Sequence, residues 1–156
     1  MAESDVFRAN AGAVIVNSLG KVMAFERKDI PGAWQFPQGG VDKGENPLDT
    51  IKREIYEEIG LNVDNELILI NEYPVWLAYE YPQTIYKKYN KRGQAQKWFL
   101  FQLKNENIKI DLKKVKTVEF RAWKWADIDE IAENMVFFKK PVYEIIAIWV
   151  KEILNQ

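Results

Sequence analysis

The chain contains no cysteine and no histidine among its 156 residues. The first absence removes disulfides, thiolate nucleophiles and thiolate zinc sites, and the second removes the Ser-His-Asp type of triad, imidazole bases and imidazole metal ligands. Acid-base or metal chemistry is left to carboxylates, lysine and tyrosine. Long apolar runs are missing too: nothing approaches the roughly 18 consecutive apolar residues of a spanning helix, and residues 1–11 lack the basic-then-apolar layout of a secretory signal. A soluble, cytoplasmic protein with no membrane partner is expected. An excess of positive charge is also absent, since 22 Lys and Arg face 23 Asp and Glu for a net charge of −1. A polyanionic substrate must then be held by local basic groups rather than drawn in by overall charge.

What is present, 47% hydrophobic and 29% charged residues, suits one compact domain spanning residues 1–156. Two basic stretches stand out. Residues 86–98 carry Lys87, Lys88, Lys91, Arg92 and Lys97 with no acid among them, and Lys139-Lys140 form a smaller cluster. Taken alone, such runs most often mark a solvated face.

Residues 10–17 and 21–27 read as strands joined by a Ser18-Leu19-Gly20 turn, an early hairpin. Residues 29–44, rich in proline and glycine, read as loop. Asn46-Pro47 has the form of a helix start, with Asn as N-cap and Pro in the first turn, and Gly60 that of a stop. Further strands are expected at 66–73, 96–103 and 118–125, the second too apolar to be an edge exposed on both faces. Residues 127–134 and 141–154 read as helices. This mixture points to an α/β or α+β layering of helices on a mixed sheet.

The informative segment is residues 39–61, GGVDKGENPLDTIKREIYEEIGL. On a helical wheel with Glu54 at zero, Leu48, Ile51, Ile55 and Ile59 fall between roughly 60° and 140°, a core-facing stripe. Glu54, Glu57 and Glu58 fall between roughly −60° and 40°, so three carboxylates share one face. Like charges three or four residues apart cost about 0.2–0.5 kcal/mol per pair, and the last turn of a helix favours cations, not Glu57 and Glu58. A bound divalent cation is the simplest compensation, and oxygen-only ligands suit Mg²⁺ or Mn²⁺. The bland alternative is a solvated acidic face paired to Lys52 and Arg53.

The spacing decides between them. The segment resembles the Nudix box: Gly, five residues, Glu, seven residues, then Arg-Glu-apolar-any-Glu-Glu-any-Gly-apolar. Gly39, Glu45, Arg53, Glu54, Ile55, Glu57, Glu58, Gly60 and Leu61 meet it without departure. At average residue usage a chance match at one start has a probability on the order of 10⁻⁹ to 10⁻¹⁰. The resemblance implies a Nudix α/β/α sandwich with a mixed central sheet, in which the box forms a loop and helix. It implies that Glu54, Glu57 and Glu58 hold Mg²⁺ or Mn²⁺ in a pyrophosphohydrolase, that one of them or a nearby acid is the general base, and that Arg53 and Glu45 orient them. Gly39, with its carbonyl a possible ligand, and Gly40 would let backbone approach the metal; the ordinary alternative for both is a positive φ.

Residues 34–40 (WQFPQGG), 93–100 (GQAQKWFL), 118–120 (VEF) and 138–143 (FKKPVY) are similar to the Nudix subgroup that contains bacterial RNA 5′-pyrophosphohydrolases and asymmetric diadenosine tetraphosphate hydrolases. That similarity adds Glu119 to the metal centre, as ligand or base, against the alternative of an exposed strand residue. It implies that Arg8, Arg27, Tyr79, Lys97, Phe138 and Lys139 hold substrate, Arg27 and Phe138 clamping a base and Arg8, Lys97 and Lys139 meeting phosphates. The segment 82–92 resembles the subgroup's basic loop, in which Tyr86 and Tyr89 among lysines suit a nucleic-acid end. Two departures are present: Arg8-Ala9-Asn10 lacks a proline common in the subgroup, and Phe138-Lys139-Lys140 replaces Phe-Lys-Arg. The implied substrates are a 5′-triphosphorylated RNA end or diadenosine tetraphosphate, with no obligate protein partner. A housecleaning nucleoside triphosphate or nucleotide-sugar pyrophosphatase is the alternative activity, and a non-catalytic nucleotide- or RNA-binding domain the alternative class.

Overall fold

A continuous apolar run in the first strand, buried on both faces, settles how the molecule is layered. In the computed structural model, which describes residues 6–85 and 91–156, β1 (Phe7–Val16) sends Ala11, Ala13 and Ile15 into one core and Val14 and Val16 into the other. The two-residue period of a strand requires this division. Helix α1 (Pro47–Ile59) covers the first face with Ile51, Ile55 and Ile59. Helices α3 (Ile128–Glu133) and α4 (Lys140–Leu154) cover the second with Ile128, Ile131, Val142, Ile146 and Trp149. Each aliphatic side chain so buried is worth about 1.5–3 kcal/mol.

Between these layers lies one eight-stranded mixed sheet. After β1 come β2 (Val22–Arg27), β3 (Trp34–Gln35), β4 (Gln38–Gly40), the short helix α2 (Val63–Glu66), β5 (Leu67–Glu72), β6 (Leu77–Glu80), β7 (Gly93–Leu103) and β8 (Phe120–Ala126). β1 and β7 pair in parallel at the centre, from Phe7↔Gly93 to Val16↔Gln102. β7 is thus interior, as its apolar composition requires. Each central strand is flanked by two partners in succession: β1 pairs with β4 at Asn10–Gly12 and with β2 at Val16, while β7 pairs with β6 over Gly93–Gln96 and with β5 further on. The sheet therefore forks at the end where β4 and β6 lie. The fold class is α+β, and no helix among the described residues is long and apolar enough to cross a membrane.

Several elements differ from the sequence expectation. β3 and β4 form inside the segment read as loop, because strands of two or three residues show no measurable period. β6 and α2, of four residues each, are likewise too short to show one. β1 and β7 both begin earlier, pairing in register from Phe7 and Gly93. Gly93 is required there, since a Cβ would collide with the Tyr79 carbonyl oxygen of β6. The turn around Gly20, the N-cap at Asn46 and the left-handed stop at Gly60 lie where the sequence puts them.

Candidate active site

Helix α1 is aimed by its ends. The Asn46 side chain accepts from the Asp49 amide at 2.9 Å, Pro47 occupies the first turn, and Gly60 closes the helix at φ 83°. With the apolar stripe locked into the core, the acidic arc must turn toward β4. The three glutamates then experience different surroundings. Glu58 is 3% exposed, and its Oε2 has no hydrogen-bond partner among the described residues. Burial first, and then the neighbouring Glu54 and Glu119, push its carboxyl far above the usual carboxylate range. The Glu54 and Glu57 side chains are 15% and 33% exposed and lean on one Arg53 nitrogen, at 2.9 and 3.4 Å. Among the described residues no three acidic groups close on a common point as a finished ligand cage.

Arg53 is the organising cation. Its Nε and Nη2 both donate to Glu45 at 3.0 Å, Nη1 donates to Glu54 at 2.9 Å, and Nη2 reaches the Gly40 carbonyl at 3.2 Å. Such a fork suits guanidinium and not ammonium. Glu45 also accepts from the Thr50 hydroxyl at 2.7 Å. The Arg53 guanidinium, with Thr50, holds the Glu45 carboxyl down at about 2. One arginine thereby ties the loop before α1, strand β4 and two helix glutamates together.

Strand β4 separates two half-sites. Gly39 faces α1, and a Cβ there would overlap the Glu54 carboxyl group; Gly40 faces the other way, and a Cβ there would overlap the Arg8 guanidinium. Neither glycine has a positive φ. Close approach, and not loop geometry, is what demands glycine at both. Glu119 enters from the opposite side, where the Lys28 amide donates to its carbonyl at 2.9 Å just past a register shift at Glu26 and Arg27 in the β2–β8 pair. Glu119 lies one residue before β8 and is exposed; partial desolvation and the charge of Glu54 raise its carboxyl.

Across β4 lies a trough of aromatic rings. Tyr79 packs on Tyr81 and on Phe138, with centroids 5.7 and 5.8 Å apart, and the Lys139 ammonium lies 5.7 Å from the Tyr79 ring. Burial, with a smaller contribution from Arg27, pulls Lys139 down to about 8. Beneath the trough runs a chain of amides that the sequence did not reveal. The Gln94 amide donates to the Tyr81 hydroxyl at 2.9 Å, and Gln96, 1% exposed, donates to Gln38 at 2.7 Å and contacts Asn10 and Gln94, each at 3.2 Å. The available sign was a pair of polar residues, Gln94 and Gln96, two apart at the start of a strand whose later residues are mostly apolar.

The substrate-binding expectations fare unequally. Phe138, Lys139 and Tyr79 come together, but Tyr79 is 6% exposed and forms the floor of the trough rather than an open face. Arg8 lies against β4 on the Gly40 side, across the strand from Glu54. Arg27 forks onto Asp29 at 2.7 and 3.0 Å, close enough for its charge to be felt at both Glu119 and Lys139. The Lys97 ammonium donates to the Tyr73 carbonyl at 2.7 Å and lies 3.7 Å from Glu72. A lysine so engaged braces the sheet. Within the described part of the run 86–98, Arg92 pairs with Glu80 at 2.8 Å. Tyr86, Lys87, Lys88 and Tyr89 lie outside the described residues.

Residues 6–145 match the NUDIX domain. The chain is 42% identical to an RNA pyrophosphohydrolase of Helicobacter pylori, over 94% of this chain and 95% of that protein. It is also 42% identical to one of Shewanella sediminis, over 92% and 84%. Among solved structures it is similar to the E. coli dihydroneopterin triphosphate pyrophosphohydrolase, with a TM-score of 0.72 at 24% identity, covering 92% of this chain and 98% of that one. A C. elegans Ap4A hydrolase has a TM-score of 0.63 at 20% identity over 92% and 98%; likenesses this distant speak for the fold alone. With the box running from β4 through α1 and its sequence matched nearly end to end, the chain belongs to the Nudix hydrolase family.

Proposed function

We propose that this protein is a divalent-metal-dependent pyrophosphohydrolase that converts a 5′-triphosphorylated RNA end to a 5′-monophosphate, and that cleaves diadenosine tetraphosphate to ATP and AMP in the same site. The observation that carries the reading is Glu58: a carboxylate 3% exposed, with one oxygen unpartnered and with Glu54 and Glu119 as neighbours, on a face where no described lysine or arginine answers it. Such a group is costly unless it is protonated or meets a cation. Nudix hydrolases generally use divalent ions, and the all-oxygen set of Glu54, Glu57, Glu58, Glu119 and the Gly39 carbonyl suits Mg²⁺, with Mn²⁺ acceptable. Bound there, the ions would acidify a water and neutralise charge on the oxygens flanking the attacked phosphorus.

The chain's own groups divide the remaining work. Arg53 and Glu45 hold Glu54 and Glu57 in place, and the absence of a side chain at Gly39 lets Glu54 reach β4. Glu119, exposed and raised, would take a proton from incoming water, whereas Glu58 is too deeply buried for that exchange. Phe138 offers a ring to the base, while Lys139 and Arg8 supply positive charge to the phosphates. Two relatives named RNA pyrophosphohydrolase, each at 42% identity over most of their length, favour RNA as the primary substrate.

Replacing Glu57, a half-exposed residue on the helix surface, tests the assignment. Glu57→Gln should keep the thermal transition of the parent and lower kcat by about 10²-fold or more with Mg²⁺, on end-labelled triphosphorylated RNA and on diadenosine tetraphosphate alike. Unchanged turnover would overturn the metal-ligand role. Release of product from free nucleoside triphosphates alone would overturn the substrate class.

A further inference from the structure

A second concavity opens at the C-terminal end of α1, on the face of the sheet opposite the aromatic trough. It has a volume of about 520 Å³ and is lined on one side by Tyr56, Glu57 and Gly60 and on the other by Lys109, Lys114 and Lys116. The second wall has no regular secondary structure, yet it is anchored: Ile108, Ile110 and Leu112 pack into the core that also holds Ile59 and Leu61, and the intervening residues Lys109 and Asp111 face the groove. Four lysines and one aspartate occur within residues 109–116 of a chain whose net charge is −1. Among the described residues Lys114 has Asp111 at 3.9 Å, whereas Lys109 and Lys116 have no carboxylate within ion-pairing distance.

A helix C-terminus and Glu57 would both repel an anion, so a phosphate entering here needs cations supplied from elsewhere, and this loop supplies three around one space. We propose that this groove receives the distal end of the polyphosphate chain, the part beyond the scissile bond, and holds it until it leaves as pyrophosphate. The inference rests on the hydrolase reading above. Cleavage adds water across the P–O–P bridge and leaves two separate anions, a 5′-monophosphate and a pyrophosphate. The nucleoside monophosphate stays with Phe138 and Lys139, and the pyrophosphate lies across Glu57 against Lys109, Lys114 and Lys116. The competing account, in which these lysines only neutralise the helix end, predicts lower stability on their removal and no preference between products.

Product inhibition separates the two accounts. In a Lys109→Ala/Lys114→Ala/Lys116→Ala variant, compared with the parent at fixed free Mg²⁺, the inhibition constant for inorganic pyrophosphate should rise about tenfold. That for AMP should stay within about twofold, with an unshifted thermal transition. Parallel changes for pyrophosphate and AMP would reduce the groove to a general field effect, and no change in either would reduce it to a solvated face; both outcomes overturn the proposal. Should the parent hydrolyse neither RNA triphosphate nor diadenosine tetraphosphate, the hydrolase reading fails by itself. Calorimetric titration of parent and variant with inorganic pyrophosphate then still reads the groove, and equal affinities would overturn it.

Discussion

At the scale of single residues, contact distance and burial decide more than residue type. Gly39 shows this: its φ is ordinary, but the Glu54 carboxyl occupies the space of its Cβ. Gly39→Ala should lower kcat by about 10²-fold while costing about 1–3 kcal/mol of stability, since Glu54 must be displaced to admit the methyl group; steady-state kinetics beside a thermal melt read both. Glu58 gives a pH prediction. Its carboxyl is raised from the ordinary value of 4.5, mainly by burial. In metal-free protein its contribution to stability is therefore full below pH 4.5 and is lost as pH rises toward the raised value. A divalent ion must displace that proton to bind. The rise in melting temperature caused by Mg²⁺ should hence be larger near pH 8 than near pH 6, the metal-free melting temperature falling over the same interval, and a pH-independent shift would argue against Glu58 as a ligand.

At the scale of elements, α1 was readable because three independent signals agree: an N-cap with proline in the first turn, an apolar stripe, and a glycine stop. Asn46→Ala removes the acceptor for the Asp49 amide and should cost about 1 kcal/mol in chemical denaturation. Turnover should be weakened far less than by Glu57→Gln, because the Ile51, Ile55 and Ile59 contacts still fix the helix. The box was legible as chemistry for a related reason: Arg53 and Glu45 are both within it, so the bracing of Glu54 and Glu57 is set by local spacing. Strands β3, β4 and β6 were not legible. They exist only because β1, β2 and β7 present unpaired backbone groups where they pass, and no pattern of two to four residues encodes that.

At the scale of the whole molecule, the forked sheet brings distant segments onto the two sides of β4, and this sorts the basic residues as sequence could not. Lys97 and Lys139 looked alike in sequence, but Lys97 is tied to Tyr73 and Glu72 while Lys139 is half-buried beside aromatic rings with no described carboxylate in ion-pairing range. Lys139→Ala should raise KM for triphosphorylated RNA by about tenfold with little loss of stability. Lys97→Ala should do the reverse, lowering the thermal transition through the uncapped Tyr73 carbonyl and moving KM less than twofold or thereabouts. The sequence by itself determined the family, the acidic helix with its cap and stop, and the early hairpin, because these depend on neighbours within a few residues. Tertiary structure alone decided which lysines are tied to the sheet and which lie beside aromatic rings, why Gly39 and Gly40 are glycine, that Gln38, Gln94 and Gln96 form one chain of amides under the trough, and that residues 109–116 wall a groove beside Glu57. Each of those depends on contact between segments tens of residues apart, whose positions are set by sheet pairing and core burial rather than by local spacing.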